Sequence, residues 1–332
     1  MRWIRYETLS DHKLANSHLS VLLEIGIIRL SLIILGVLFL LGLLLEAILR
    51  IVFGFGNPLI YKADAEIGYL LAPNQQTRRF SNFIAVNQYS MRSDPITPQR
   101  PPETTRIMLI GDSIANGSWW TDQKETISAL ITKSLGQNLT GSVQVLNASA
   151  NSWGPRNQLA YLRRFGTFES QVIVLLMNTD DLFALAPSSA VVGREINYPA
   201  RRPALALIEL YDRYFKRYPP LSPVQEGGDR VGNNLTALAQ IQALAQANQA
   251  RLIIAITPLI REAQKQGRDY ELKARQRLAD FTGNQQIFYL DFLPIFQAHS
   301  NPDSLYRDNI HLSRDGNELI SKKLAEAIKK VF

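Results

Sequence analysis

The hydrophobic pattern divides the chain into one long apolar run near the N-terminus and a longer region of short, alternating runs. Residues 22–53 are almost continuously apolar, and Leu30 to Leu45 carries no charged side chain. About 20 apolar residues in a helix cross the hydrocarbon core of a bilayer. Glu46 lies four residues before Arg50, a spacing that predicts an ion pair on one helical face. The pattern therefore predicts one transmembrane helix over residues 22–53.

A cleaved signal peptide is the alternative explanation of an apolar run at this position. The run and the leader before it are both long, and no Ala-x-Ala pattern follows, so a retained membrane anchor is favoured. Basic residues are more frequent before the apolar core than just after it: Arg2, Arg5, Lys13 and Arg29 against Arg50 and Lys62. This bias predicts a single-pass protein with residues 1–21 in the cytoplasm and the rest of the chain after the anchor extracytoplasmic, periplasmic or at the cell surface.

Beyond residue 104, apolar runs of strand length alternate with amphipathic stretches of helical length. The five strand-length runs are Ile107–Ile110, Val143–Leu146, Val172–Met177, Leu252–Ile256 and Ile287–Leu290. The helical stretches are Glu125–Leu135, Gln158–Phe165, Leu235–Ala247, Glu271–Phe281 and Asn317–Phe332. Short buried strands that alternate with helices are typical of a parallel sheet. Residues 105–332 are therefore predicted to form an α/β domain.

Two proline-rich regions interrupt this alternation. Residues 54–104 contain short apolar pieces among Asn, Gln, Pro and Arg, and are predicted to be a connecting segment with a few strands. Residues 186–233 contain several prolines and a Gly-Gly pair, and are predicted to be an insertion with one short aromatic helix near Leu207–Tyr218.

Composition excludes several classes of function. The 36 Lys and Arg exceed the 29 Asp and Glu, giving a net charge of +7, but the charges are scattered without a basic stripe. Nucleic-acid binding is therefore not indicated, whereas a mildly basic surface suits anionic lipid. The absence of cysteine excludes disulfides, thiolate metal sites and a cysteine nucleophile. Two histidines after the anchor give no metal-binding cluster, so no metal or other cofactor is expected.

Candidate chemistry lies where the apolar runs end, because ligands of parallel sheets bind at the carboxyl ends of the strands. The first run leads into Gly-Asp-Ser113, whose serine is either a nucleophile or the cap of the next helix. A serine nucleophile needs a histidine oriented by a carboxylate. Asp308 precedes His311 by three residues after the last strand, whereas His299 has no acid at that spacing and is expected to be a surface residue.

The motifs Gly-Asp-Ser-Ile-Ala-Asn-Gly from residue 111 and Asp-Asn-Ile-His from residue 308 resemble the first and last blocks of the SGNH (GDSL-like) hydrolases. The resemblance covers Arg106–Phe332, and the lead-in at residues 68–92 is similar to that of membrane-anchored members. It implies a three-layer α/β/α flavodoxin-like domain with Ser113, His311 and Asp308 as a catalytic triad. It also implies an oxyanion hole that includes the backbone N–H of Ser113.

The middle blocks depart from that family pattern. The glycine of the second block falls on Ser152 by position, and the nearest actual glycine is Gly154. The asparagine of the third block falls on Asp180 in strict register, whereas a two-residue shift would place Asn178 there. The register favours a protonated Asp180 as hydrogen-bond donor to the oxyanion, with Asn178 as the alternative donor.

Tryptophans follow two of these blocks, and Trp119 and Trp153 are candidates for substrate contact, with packing beneath the site as the alternative. The resemblance implies a membrane-anchored esterase that hydrolyses an acyl, most simply acetyl, ester of a glycan or lipid. One alternative is an O-acyltransferase acting on a cell-surface polysaccharide. The other is a catalytically degenerate glycan-binding or assembly module.

Overall fold

The computed structural model describes residues 7–220 and 226–332. Its first element is a single long helix, α1 (Glu7–Ile51), of which Ser20–Ile51 is long and apolar enough to cross a membrane, with a mean hydropathy of 2.9. The helix ends before Gly54, whose φ of +72° is in the left-handed region that glycine adopts readily. The predicted Glu46–Arg50 ion pair is confirmed, with 2.5 Å between Arg50 Nε and Glu46 Oε1. Arg2 and Arg5, which contributed to the predicted orientation, lie outside the described residues.

Two antiparallel hairpins follow the helix. Their strands are β1 (Tyr61–Asp64), β2 (Gly68–Leu71), β3 (Gln75–Arg79) and β4 (Asn82–Val86). Side chains of the first hairpin, including Tyr61 and Leu71, are buried in the same hydrophobic cluster as the main sheet. The segment that the sequence presents as a connection is therefore packed onto the domain.

The main sheet has five parallel strands in the order β6-β5-β7-β8-β9. They are β5 (Thr104–Gly111), β6 (Ser142–Ser149), β7 (Val172–Asn178), β8 (Arg251–Thr257) and β9 (Phe288–Asp291). Each strand-length apolar run forms one of these strands, so the predicted parallel α/β class is confirmed. The strand order reverses at β5, and such a reversal opens a crevice at the carboxyl end of the strand.

Further helices follow α1, and most of them cover the two faces of the sheet. They are α2 (Ser113–Asn116), α3 (Ile127–Gly136), α4 (Pro155–Phe165), α5 (Ala206–Tyr214), α6 (Arg230–Ala247), α7 (Ile260–Ala263), α8 (Asp269–Asn284), α9 (Leu293–Gln297) and α10 (Arg314–Val331). Short 3₁₀ helices lie at Gln123–Glu125, Thr179–Phe183 and Pro302–Leu305.

Alternate residues of each strand point to opposite faces, and this divides the core into two clusters. Met108 and Ile110 pack with side chains of α4, α6 and α8, whereas Ile107 and Leu109 pack with those of α3 and α10. The architecture is therefore the expected three-layer α/β/α sandwich.

The predicted insertion is less regular than the rest of the domain. Its aromatic helix is α5, and α6 begins five residues before the predicted helix start at Leu235. Residues 221–225, within the predicted insertion, lie outside the described residues.

Candidate active site

Ser113 lies at the carboxyl end of β5, where the strand passes directly into α2. The Asp112 side chain caps this helix by accepting a hydrogen bond from the Ile114 N–H at 2.8 Å. A side chain at Gly111 would lie 2.5 Å from the carbonyl oxygen of Leu176, so only glycine fits before the turn. Ser113 is 8% exposed. The strand-to-helix turn therefore holds this hydroxyl at the crevice where the strand order reverses.

His311 and Asp308 reach the same crevice from the loop before α10. His311 Nε2 lies 3.0 Å from Ser113 Oγ, and His311 Nδ1 lies 2.8 Å from Asp308 Oδ2. Asp308 Oδ1 accepts hydrogen bonds from the backbone N–H groups of Ile310, at 3.0 Å, and His311, at 2.8 Å. The turn thus fixes the carboxylate against one ring nitrogen and leaves the other nitrogen for the serine.

Electrostatics keep the Asp308 carboxyl ionised. Partial burial raises its pKa. The backbone hydrogen bonds from His311 and Ile310 and the contact with the imidazole lower the pKa by more than burial raises it, so the net pKa lies below the ordinary value. An ionised carboxylate holds the Nδ1 proton and favours the tautomer whose Nε2 accepts a proton. The other histidine after α1, His299, which was predicted to be a surface residue, lies apart from this group, with its Nδ1 2.9 Å from the backbone oxygen of Asn301.

In the part of the second family block that follows β6, Ser152 lines the cavity at Ser113 and Gly154 does not. Ser152 lines the cavity beside Ser113 and has a φ of +57°, in the left-handed region that favours glycine. Its hydroxyl accepts a hydrogen bond from the Tyr198 hydroxyl at 2.9 Å. The N–H of Gly154 instead donates to Asn157 Oδ1 at 3.1 Å, at the start of α4. This corrects the expectation that Gly154 is an oxyanion donor, because its N–H is already bonded.

The third block places Asn178, not Asp180, behind Ser113. Asn178 Nδ2 donates to Asp112 Oδ2 at 2.8 Å and to Asp181 Oδ2 at 3.3 Å. The Asp180 side chain is 49% exposed, lies 4.0 Å from Arg261 and does not line the cavity. The expectation of a protonated Asp180 in the oxyanion hole is therefore corrected: the 3₁₀ turn after β7 directs this carboxyl toward α7.

A pair of buried carboxyls lies behind the serine. Burial raises the pKa of Asp112, and burial together with the charge of Asp112 raises the pKa of Asp181 well above its ordinary value. Asn178 bridges the two groups. Among the described residues, no group of three or more His, Asp or Glu side chains could hold a metal ion.

A cavity of about 450 Å³ opens at Ser113 and His311. Sequence reasoning missed much of its wall, because that wall comes from the two segments without recognisable motifs. The missed lining residues are Pro58, Leu59, Tyr61, Arg79, Ser118, Asn151, Glu195, Ile196, Asn197, Tyr198, Pro199 and Arg213. Apart from Ser118 and Asn151, which lie just after α2 and β6, these residues are placed by the hairpins and the insertion folding over the sheet edge, which no local pattern indicates.

The tryptophans divide between cavity and core. Trp119 and Trp120 line the cavity, and the Trp120 ring centroid lies 4.8 Å from that of His311. Trp153 is fully buried, and its Nε1 donates to the Tyr69 carbonyl oxygen at 3.0 Å. A buried ring with its N–H bonded has no face free for a substrate. The expectation of a substrate contact at Trp153 is therefore corrected in favour of packing beneath the site.

Several solved structures have a fold similar to that of this chain. Similar solved structures include a lipase/acylhydrolase from Enterococcus faecalis, with 13% identity and a TM-score of 0.44 over 68% of this chain and 95% of that one. They also include TesA, with 15% identity and a TM-score of 0.47 over 68% and 99% of the two chains. The acetyl xylan esterase AlAXEase has 11% identity and a TM-score of 0.47 over 67% and 99%. No curated protein sequence matches the chain significantly.

The chain also matches the model of a protein family. The model of the GDSL-like Lipase/Acylhydrolase family matches residues 109–319, which is more than half of the chain and includes both the Ser113 turn and the Asp308–His311 loop. The chain therefore belongs to the GDSL-like lipase/acylhydrolase family and is a hydrolase that acts on ester bonds.

Proposed function

We propose that the protein is a membrane-anchored serine esterase in which Ser113 is the nucleophile, His311 the general base and Asp308 the residue that orients the imidazole. The observation that carries this proposal is the relay of 3.0 Å from Ser113 Oγ to His311 Nε2 and 2.8 Å from His311 Nδ1 to Asp308. Nucleophile, base and orienting acid at these distances support a working enzyme over a degenerate binding module.

In the proposed reaction, His311 Nε2 takes the proton of Ser113 as its Oγ attacks the carbonyl carbon of the ester. The tetrahedral intermediate collapses to an acyl-serine, and His311 returns the proton to the departing alkoxide. A water molecule then loses a proton to His311 and attacks the acyl carbon. Collapse of the second intermediate releases the carboxylic acid and restores the Ser113 hydroxyl.

The developing oxyanion needs donors that are not already bonded. We assign this role to the backbone N–H groups of Ser113 and Ser152. Support comes from the left-handed conformation of Ser152 at the cavity wall, in the position of the glycine of the family block. The amide hydrogens of Asn178 are directed at two carboxylates, so we assign it the role of positioning Asp112 beside the serine.

The anchor and the substrate complete the proposal. The apolar helix Ser20–Ile51 is proposed to remain attached as a single-pass anchor, with the hydrolase domain extracytoplasmic. The ester is proposed to be a short acyl, most simply acetyl, group on a glycan or lipid. Trp119 and Trp120 are partly exposed where they line the cavity, and Trp120 lies beside His311, which supports a ring or acyl chain as the part that is bound there.

Labelling of the full chain with a fluorophosphonate probe tests the nucleophile. Ser118 is a matched control, because it lines the same cavity but its Oγ is bonded to Asn151 Oδ1 at 3.2 Å. The adduct is expected on Ser113 and is expected to persist in Ser118→Ala but not in Ser113→Ala. An adduct that survives Ser113→Ala would contradict the assignment.

Hydrolysis of p-nitrophenyl acetate in water, without a saccharide, tests the reaction type. Release of free acid by the wild type supports an esterase. Turnover that appears only after a glycan acceptor is added would instead support the O-acyltransferase.

A further inference from the structure

The short helix α5 is joined to the last turns of the membrane helix by hydrogen bonds. The Glu46 carboxylate accepts from the backbone N–H groups of Ala206, at 2.8 Å, and Leu207, at 3.0 Å, and so caps the first turn of α5. Arg50 donates to the carbonyl oxygen of Ala204 at 2.8 Å. These contacts join residues about 160 positions apart in the sequence.

Buried contacts fix the same junction further along α5. The buried Glu209 carboxylate pairs with Arg79 at 2.8 Å and accepts the Gly56 N–H at 2.6 Å. Leu49 and Phe55 form a small apolar cluster with the start of α5. The orientation of α5 relative to α1 is therefore set by apolar packing and hydrogen bonds, with an ion pair from α5 to β3 beside them.

The junction defines the depth of α5 relative to the bilayer. Glu46 lies five residues before the end of α1 at Ile51, which is roughly 8 Å along the helix axis at about 1.5 Å per residue. At this level the α1 side chains Ile48 and Ile51 are exposed, as expected for residues that face lipid. The first turn of α5 thus lies level with the lipid-exposed end of the anchor.

The outer face of α5 is apolar and aromatic. Five large apolar side chains of α5 and its two flanking residues are between 42% and 71% exposed, whereas Leu207 and Leu210 pack toward α1. The five are Leu205, Ile208, Tyr211, Tyr214 and Phe215. Basic residues flank the helix at Arg201, Arg202, Lys216 and Arg217. Tyrosine and other amphipathic aromatics are enriched at membrane interfaces, and basic side chains near them attract anionic lipid headgroups.

We propose that α5 is a membrane-surface helix whose outer face is inserted in the interface of an anionic bilayer beside the anchor. The proposal rests on the proposed anchoring by α1. A cavity of about 580 Å³ beside α5 shares Pro58, Glu195 and Arg213 with the cavity at Ser113. With α5 on lipid, this second cavity lies between the bilayer surface and the cavity at Ser113, so an ester at the membrane surface is the substrate that this geometry favours.

Site-directed spin labelling of the full chain tests this orientation, because the protein contains no cysteine. Single labels are attached at Tyr214→Cys on α5, Leu38→Cys in the anchor and Lys322→Cys on the exposed side of α10. Each labelled chain is reconstituted in nanodiscs of phosphatidylcholine and phosphatidylglycerol. Collision with oxygen, which concentrates in lipid, is compared with collision with a water-soluble nickel chelate.

The labels at 214 and 38 are expected to collide mainly with oxygen, and the label at 322 mainly with nickel. Nickel access at 214 equal to that at 322, with 38 still protected, would overturn the docking of α5. Nickel access at both 38 and 214 would instead overturn the anchoring. Nanodiscs of phosphatidylcholine alone are expected to leave the 214 label shallower, and equal depth in both lipids would refute the role of anionic headgroups.

Discussion

The buried amide of Asn178 allows a sharp test of how the site is held together. Its Nδ2 donates to Asp112 at 2.8 Å and to Asp181 at 3.3 Å, and its Oδ1 accepts the N–H of Asp180 at 2.7 Å. The change Asn178→Ala removes all three hydrogen bonds and leaves the two buried carboxyls with backbone donors, the N–H of Ile114 for Asp112 and that of residue 178 for Asp181.

The expected cost follows from these contacts. A hydrogen bond to a charged group contributes about 1.5–3 kcal/mol, and the longer bond to Asp181 contributes less. We expect Asn178→Ala to lower the free energy of unfolding by about 3 kcal/mol. For a domain of this size that corresponds to a fall in Tm of roughly 6–12 °C.

The turnover of the Asn178→Ala variant distinguishes two roles for this amide, positioning Asp112 and binding the oxyanion. Loss of one oxyanion donor costs about 10²–10³ in turnover. Because the Asn178 hydrogens are directed at carboxylates, the variant, assayed below its own Tm with p-nitrophenyl acetate, is expected to lose about tenfold or less. The matched control is Asp180→Asn, two residues away and half exposed, which is expected to be nearly silent in both Tm and turnover.

Thermal unfolding by circular dichroism and initial rates on the full chain in mild detergent provide both measurements. A variant that keeps the wild-type Tm but loses more than a hundredfold in turnover would refute this reasoning. It would show that the amide acts on the oxyanion. A marked effect of Asp180→Asn on turnover would contradict the position of this side chain outside the cavity.

Further variants test other parts of the structure. Ser113→Ala and His311→Ala are each expected to abolish p-nitrophenyl acetate hydrolysis, whereas His299→Ala keeps the wild-type rate. Trp153→Ala is expected to lower the free energy of unfolding by about 3–5 kcal/mol in urea titrations, because it empties a fully buried site. Burial raises the pKa of Asp181, so the folded state binds its proton more tightly and loses stability as pH rises through that raised pKa. Asp181→Asn should therefore gain Tm relative to wild type as the pH rises above about 4, the ordinary pKa of an aspartate; a constant difference would count against a raised pKa. A periplasm-active reporter fused after Phe332 is expected to be active, and activity confined to the cytoplasm would reverse the proposed topology.

The sequence by itself determined the class of fold and the residues that we propose to react. Parallel strands covered by helices on both faces must be short continuous apolar runs, so runs such as Val172–Met177 marked the sheet. The chemistry of a serine hydrolase needs a histidine with a nearby acid, and the chain after the anchor offers that spacing at Asp308 and His311. Both inferences depend on local patterns or on a very small set of candidates.

The tertiary structure alone decided which donors and rings are available. Asn178 and Asp112 are 66 residues apart, and Trp153 and Tyr69 are 84 residues apart, so no local register shows that these pairs are bonded. Asp180 was favoured from sequence because a register counts positions along the strand, whereas the 3₁₀ turn after β7 sets the direction of each side chain. The capping of α5 by Glu46 spans 160 residues and likewise appears only when the insertion has folded against α1.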